Sequence, residues 1–246
     1  MVPAELRDAE RTASKSQQAD DGEFSRKIDS QDEDIGSRAV IRNARELVWY
    51  PSEVDTSIRT GWFYHPEEDT DVRTADELLD IYLDAVGANA SLLLNIPPDT
   101  HGRIAAPDCA SLAELGTKIQ QIFAGNVTEK AKITADSAIA QHPITQAVDG
   151  MADTYWQAAY GQEFDTITLK FPKPQKVSCV VLGEHLPTGQ RIESGEIWAD
   201  GSKASEFTVV GHKRICRFTP VDVQTLTIKI TASRTEPTLR LLEVYQ

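Results

Sequence analysis

The sequence has no apolar run approaching the ~20 residues that a membrane-spanning helix needs, so no part of it reads as a transmembrane segment. Cysteine is scarce. Cys109, Cys179 and Cys216 are too few and too scattered for a disulfide framework or a zinc site, and an odd number leaves at least one thiol free within the chain. All three read as buried structural thiols. Basic charge is also short, with 25 Lys and Arg against 38 Asp and Glu and a net charge of −13. Residues 1–126 hold 24 acidic and 12 basic side chains and residues 127–246 hold 14 and 13, so the imbalance belongs to the first half. Without a basic stripe anywhere, such a chain repels phosphates and anionic head groups, which argues against nucleic acid and membrane surfaces as partners. The opening MVPAELRDAERTASKSQQADDGEF has neither the basic start nor the apolar segment of a secretory leader.

What remains is an ordinary globular composition, 40% hydrophobic and 26% charged over 246 residues, enough for two cores. Residues 4–37 are polar without apolar periodicity and read as a long loop. Glu46–Tyr50 has strand character, ended by Pro51. From Thr74 a helix is predicted: Thr74 and Glu77 form a capping box, Leu78, Leu79, Ile81, Tyr82, Ala85 and Val86 make one face, and Gly87 stops it. Ser91–Ile96 is a short apolar run closed by Pro97 and Pro98, the pattern of a strand buried on both faces in a parallel sheet. A second capping box at Ser111 and Glu114 opens a helix that ends at Gly125. Asn89-Ala90-Ser91 and Asn126-Val127-Thr128 match the glycosylation sequon, the first being better read as the approach to a strand.

From about Asn126 the hydrophobic period becomes two. Strands are predicted at 131–135, 166–171, 177–182, 193–199, 206–210, 213–218, 225–230 and 239–245, enough for a β-sandwich. The expected organisation is therefore α/β followed by all-β: residues 1–125 as the closing portion of a (β/α)8-like barrel, and residues 126–246 as an antiparallel sandwich of jelly-roll type.

Chemically the densest stretch is Trp49 to Asp69, which packs five aromatic rings, a histidine, an arginine and several carboxylates into 21 residues. Aromatic faces stack on the apolar C–H face of a sugar while Arg, His, Glu and Asp supply oriented hydrogen bonds to its hydroxyls. The alternative is an aromatic-rich loop packed on a core.

Trp49-x-Pro51-x-Glu53-x-Asp55-x-Ser57-Ile58-Arg59-x-Gly61-Trp62-Phe63-Tyr64-His65 resembles a block found in α-L-fucosidases, glycoside hydrolase family 29. Leu78–Tyr82, Val86-Gly87-x-Asn89, Leu92–Asp99 and Gly102-x-Ile104 resemble the blocks that follow in that family. The resemblance covers roughly residues 1–124. In the second half, Val148-Asp149-Gly150, Asp153-x-x-Trp156, Leu186–Ser194, Gly211-x-Lys213-Arg214 and Leu239–Tyr245 are similar to the discoidin or coagulation-factor type-C sandwich attached to such enzymes. Taken by itself, Trp156 reads rather as plain sandwich core.

The resemblance implies a retaining hydrolase acting on fucosylated oligosaccharides or glycoconjugates, with an Asp nucleophile and a Glu acid/base about 5 Å apart and no cofactor or metal. It places both carboxylates upstream of Met1, so the chain alone is expected to be inactive, completed by an N-terminal chain if it is one part of a split enzyme. Glu53, Arg59, Trp62 and His65 are implied as rim or wall residues of the fucose pocket, with Trp62 making the apolar contact. Family members are secreted, periplasmic or lysosomal, which leaves localisation open. The competing reading is a carbohydrate-binding or structural sandwich with a non-catalytic barrel remnant; exposure of Tyr155, Tyr160 or Trp198 would favour sugar binding by the sandwich.

Overall fold

The computed structural model describes residues 2–3, 37–42, 47–48 and 51–246. The polar opening expected over 4–37 lies outside the described residues except for Ser37, as do Trp49 and Tyr50 of the aromatic block. Met1, ahead of which the resemblance puts the nucleophile and the acid/base, also lies outside the described residues. Strand β1 (Val2–Pro3) pairs antiparallel with β2 (Leu47–Val48), and the short helix α1 (Arg38–Ile41) lies between them in sequence.

A strand, β3 (Glu53–Ser57), occupies a stretch read as loop from the sequence. Half-buried Val54 and Thr56 alternate there with exposed Glu53 and Asp55, a period-two pattern obscured by the density of charge. Helix α2 (Ala75–Val86) follows the predicted cap: the Thr74 hydroxyl accepts from the Glu77 amide at 3.3 Å, and the Glu77 carboxylate accepts from the Thr74 amide at 2.8 Å. Strand β4 (Ser91–Asn95) then pairs parallel with β3, from Glu53 opposite Ser91 to Ser57 opposite Asn95. Its expected burial on both faces is not met. Leu93 is 51% exposed, because among the described residues the β3–β4 sheet has only these two strands.

Helix α3 (Ala106–Phe123) starts five residues before the predicted capping box. Pro107 presets the first helical turn, leaving Ser111 inside the helix, where its hydroxyl donates to the Arg73 carbonyl at 2.6 Å instead of capping. Ile58, Leu78, Leu79 and Leu115 form the core between α2, α3 and the strands, with Leu94 and Ile96 packed against it. Cys109, expected to be buried, is exposed on α3, whereas Cys179 and Cys216 are buried.

The remaining strands are β5 (Lys132–Ala135), β6 (Trp156–Gln157), β7 (Asp165–Gly183), β8 (Ile192–Ala199), β9 (Ser202–Phe207), β10 (Arg214–Ser233), β11 (Thr238–Leu239) and β12 (Leu241–Tyr245). Six of them form an antiparallel sheet in the order β12-β7-β10-β8-β9 with β5 on β7, while β6 pairs with β11. Two pairs of predicted strands have fused. Segments 166–171 and 177–182 run together as β7, and 213–218 and 225–230 as β10. Prolines suggested breaks, but they sit in bulges: Pro172 and Pro174 lie between the pairs Lys170–Thr225 and Gln175–Val223, and Pro220 lies between Arg217–Cys179 and Val221–Val177. A bulged residue needs no ladder partner, so pairing resumes on either side. The strand expected at 206–210 runs instead over Ser202–Phe207, after a turn in which Asp200 and Gly201 have φ of 45° and 84°. Trp156, Ile167, Leu169, Val180, Ile197 and Ile228 are central to a large apolar core.

The α2–β4 corner and the end of α3 are joined to the sheet by specific contacts. The Ile215 amide donates to the Gly87 carbonyl at 3.0 Å, the His212 amide donates to Asn89 Oδ1 at 2.6 Å, and Phe123 meets Tyr245 edge to face at 5.2 Å. Gly211, with φ of 59°, lies so close that a Cβ there would be 2.4 Å from Asn89 Nδ2. Gly211→Ala is expected to destabilise the chain by about 1–3 kcal/mol through strain and forced separation at this joint; an unchanged melting temperature would count against the contact.

Candidate functional site

Parallel strands end on the same side, so β3 and β4 deliver two connections to one edge, and in open α/β sheets this carboxyl edge is where ligands bind. From β3 comes the turn Ile58–His65 and from β4 the turn Ile96–Asp99. Asn95, the last residue of β4, clamps them together: its Nδ2 donates to the Trp62 carbonyl at 3.0 Å and to Ser57 Oγ at 3.1 Å, while Ser57 Oγ donates to the Gly61 carbonyl at 2.8 Å. The Trp62 backbone is thereby held, while its side chain stands 51% exposed beside Phe63 at 77%.

Beneath the turn, Arg59 is completely buried. Its Nε and Nη2 donate to the two oxygens of Asp108 at 3.1 and 2.8 Å, Nη2 also to Asp69 at 2.8 Å, and Nη1 to the His65 carbonyl at 3.3 Å. Its guanidinium lies 4.8 Å from the centre of the Tyr64 ring. The Asp108 and Asp69 hydrogen bonds raise the Arg59 pKa and hold it charged. Asp108 belongs to the first turn of α3, where a carboxylate also faces the positive end of the helix dipole.

The four residues singled out from the sequence therefore separate. Trp62 and His65 share the turn and are exposed, with His65 Nδ1 3.9 Å from a Glu67 oxygen. Arg59 lies under them, its side chain wholly inside. Glu53 is exposed at the opposite, amino end of β3, about 13 Å from the carboxyl edge at the usual strand rise. Sequence reasoning missed Asn95, Ser57, Asp69 and Asp108 as the residues that fix the turn. Asn95 had a signal, as the polar residue closing the Leu92–Leu94 run; Asp108, 49 positions from Arg59, had none.

The carboxylates nearby are largely engaged. Asp69 and Asp108 serve Arg59, Asp71 accepts from the Thr60 hydroxyl at 2.9 Å, and Asp99 accepts from the amides of His101 and Arg103 at 2.8 and 2.9 Å, which lower its pKa. Among the described residues no group of three or more His, Cys, Asp or Glu is placed to hold a metal ion, and no helix is long and apolar enough to cross a membrane.

Within residues 126–246, the three aromatic residues of interest differ. Tyr155 is stacked between the rings of His142 and His185, each with its centre 3.9 Å away, Trp198 lies under Lys229 Nζ at 3.8 Å, and Tyr160 is 77% exposed.

The turn that carries the exposed Trp62 and Phe63 rings is thus fixed at the carboxyl edge of two parallel strands. Residues 10–121 match the family model described as Alpha-L-fucosidase. Alpha-L-fucosidase 1 of Arabidopsis thaliana is 32% identical over 209 residues, covering 80% of this chain and 41% of the relative. Among solved structures, an α-L-fucosidase candidate from Bacteroides thetaiotaomicron is similar with a TM-score of 0.77 and 31% identity, over 82% of this chain and 46% of that one. A GH29 fucosidase from Ruminococcus gnavus, solved in complex with fucose, is similar with a TM-score of 0.76 and 27% identity, over 82% of this chain and 42% of that one. In all three respects the proteins to which this chain is similar are α-L-fucosidases or members of glycoside hydrolase family 29, with the family-model match confined to residues 10–121. The chain spans about two fifths of the length of the curated relatives it matches.

Proposed function

We propose that this chain supplies one wall of the sugar pocket of a retaining α-L-fucosidase, acting on fucosylated oligosaccharides or glycoconjugates, while the nucleophile and acid/base come from outside it, from a segment that would precede Met1. In this reading residues 1–125 are the closing portion of a (β/α)8-like barrel and residues 126–246 a discoidin-like sandwich that braces it. The observation that carries the reading is the exposed Trp62 ring on a turn whose backbone is clamped by Asn95 and Ser57. A rigid aromatic face suits the apolar side of fucose and loses little entropy on binding. His65 stands on the same turn as a hydrogen-bonding wall residue, Arg59 acts from beneath as a support, and Glu53, at the amino end of its strand, is not given a place in the pocket wall.

A catalytic pair needs two carboxyl groups about 5 Å apart in an environment that separates their roles. Asp69, Asp108, Asp71 and Asp99 are instead tied to Arg59, Thr60 and backbone amides, and of the remaining pair after the turn Glu67 meets His65 in solvent while Glu68 Oε2 is buried without a partner. Hydrolysis of an aryl α-L-fucoside tests the proposal directly: the chain alone should be silent, and activity should appear when the preceding barrel segment of a relative is added as a second chain. Activity of the chain alone would sink the division of labour. In the completed enzyme, Trp62→Ala should lower kcat/KM by about tenfold or more, equivalent to ~1.4 kcal/mol, with stability changed by no more than about 0.5 kcal/mol because the ring is exposed. A large loss of stability with intact kcat/KM would reverse the assignment.

A second reading, that the sandwich itself binds carbohydrate, is favoured by Tyr160, whose ring is 77% exposed on the loop between β6 and β7.

A further inference from the structure

A cleft of about 600 Å³ opens where β7 begins and β10 approaches its end, lined by Asp136, Gln162, Phe164, Thr166, Lys229 and Thr231 among others. That volume is within the range of roughly 300–1,000 Å³ usual for small-molecule sites. Its floor is fixed. Buried Asp165 accepts from the Ser137 hydroxyl at 2.5 Å and from the Asp136 amide at 3.2 Å, and Ser137 Oγ in turn accepts from the Ala159 amide at 2.9 Å. These bonds lock the residues after β5 and the loop before β7 to the first residue of β7. Burial pushes the Asp165 carboxyl upward from its ordinary range, as suits a group that supports the cleft from below.

Three polar groups around the cleft are unengaged, although the Thr231 hydroxyl is paired with that of Ser194 at 2.8 Å. The Asp136 carboxylate, the Gln162 carboxamide and the Thr166 hydroxyl have no hydrogen-bond partner among the described residues, and the Phe164 ring is 64% exposed. Lys229 holds its ammonium over Trp198 rather than in an ion pair. Donors and acceptors thus line the cleft together with one exposed aromatic ring. A hydroxyl group is both donor and acceptor, and a pyranose offers several hydroxyls around an apolar C–H face. Two carboxylates against one ammonium disfavour an anionic ligand.

We propose that this cleft is a carbohydrate subsite for a neutral pyranoside, with Phe164 as the stacking platform and Asp136 and Gln162 as its hydrogen-bonding partners. The inference deepens the reading in which the sheet region binds sugar, and it is independent of the fucose pocket assigned to Trp62. The test is an NMR titration of the 15N-labelled 246-residue chain with methyl β-D-galactopyranoside, methyl β-D-glucopyranoside and methyl α-L-fucopyranoside, with glucuronate as the anionic control. At least one neutral glycoside should give saturable shifts at residues 162–166 and 229–231, with Kd of about millimolar order, and Phe164→Ala and Gln162→Ala should each weaken it about tenfold. Trp62→Ala should leave it unchanged. Binding abolished by Tyr160→Ala and indifferent to both cleft variants would overturn the cleft while sparing sugar binding by the sheet. Absence of saturable shifts anywhere in 126–246 would overturn both, and equally tight glucuronate binding would overturn the neutral class.

Discussion

Replacing Asp108 with alanine should destabilise the α2–α3 region by about 3–5 kcal/mol, the range expected when one partner of a buried ion pair is removed and the other charge stays inside. Arg59 and Asp108 both have side chains with no exposed surface. Asp69, the remaining acid on Arg59, is 38% exposed and contributes a single contact. The destabilisation should begin locally. Hydrogen exchange should accelerate first at amides held by the turn, such as Arg73 bonded to the Ile58 carbonyl and Glu68 bonded to the His65 carbonyl. Urea melts and exchange of the Asp108→Ala chain measure this, and a change below about 1 kcal/mol would mean that water replaces Asp108 freely. Replacing both charges, as in Arg59→Met with Asp108→Leu, should recover much of the loss, because the charges matter here chiefly as a matched pair. Recovery of stability without recovery of the Trp62 turn would separate the two roles of Arg59, filling space and tying the His65 carbonyl.

What the sequence disclosed about this region follows the range of each interaction. The Thr74–Glu77 box spans three residues, so helix α2 was legible from residue types alone. The Arg59–Asp108 pair spans 49 residues and joins a turn to a helix, and neither residue type distinguishes it from any other charge. Glu53 was grouped with Trp62 because both belong to one resembling block, yet β3 carries it to the opposite end of the strand. The same limit explains the fused strands. Pro172, Pro174 and Pro220 signal interruption of a ladder, and only the pairing of β7 with β10 reveals that the interruptions are bulges within continuous strands. The residues assigned to the cleft, Asp136, Gln162, Phe164 and Lys229, come from three separate stretches of chain, so no motif could have collected them. The joint at Asn89 lay inside a glycosylation-like tripeptide, and its use was hidden until Gly211 was brought against it.

Glu184→Ala should lower the stability of the sheet region by roughly 3–5 kcal/mol, because one side chain satisfies three backbone donors and each buried donor left without an acceptor costs ~1–3 kcal/mol. Glu184 is 1% exposed. Its Oε1 accepts from the amides of Arg191 and Ile192 at 2.7 and 2.9 Å, and its Oε2 from the amide of Gly211 at 2.8 Å. Burial pushes its carboxyl up to about 7 from an ordinary 4.5, against the opposing pull of those three amides. Since the native form then keeps a proton that the unfolded chain has released, stability from this group should fall as pH rises from about 4.5 to about 7 and level off above. Glu184→Gln removes the titration while keeping one oxygen for Arg191 and Ile192, at the loss of the Gly211 bond, worth ~1–3 kcal/mol. The difference between wild-type and Glu184→Gln urea melts at pH values on either side of that window therefore isolates this contribution, and parallel pH profiles would refute it. Because the Gly211 carbonyl also accepts from the Glu184 amide, and the next residue, His212, donates to Asn89, loosening at Glu184 should spread to the joint. The His212 amide should lose hydrogen-exchange protection in Glu184→Ala, whereas protection retained there would confine the effect of Glu184 to its own loop.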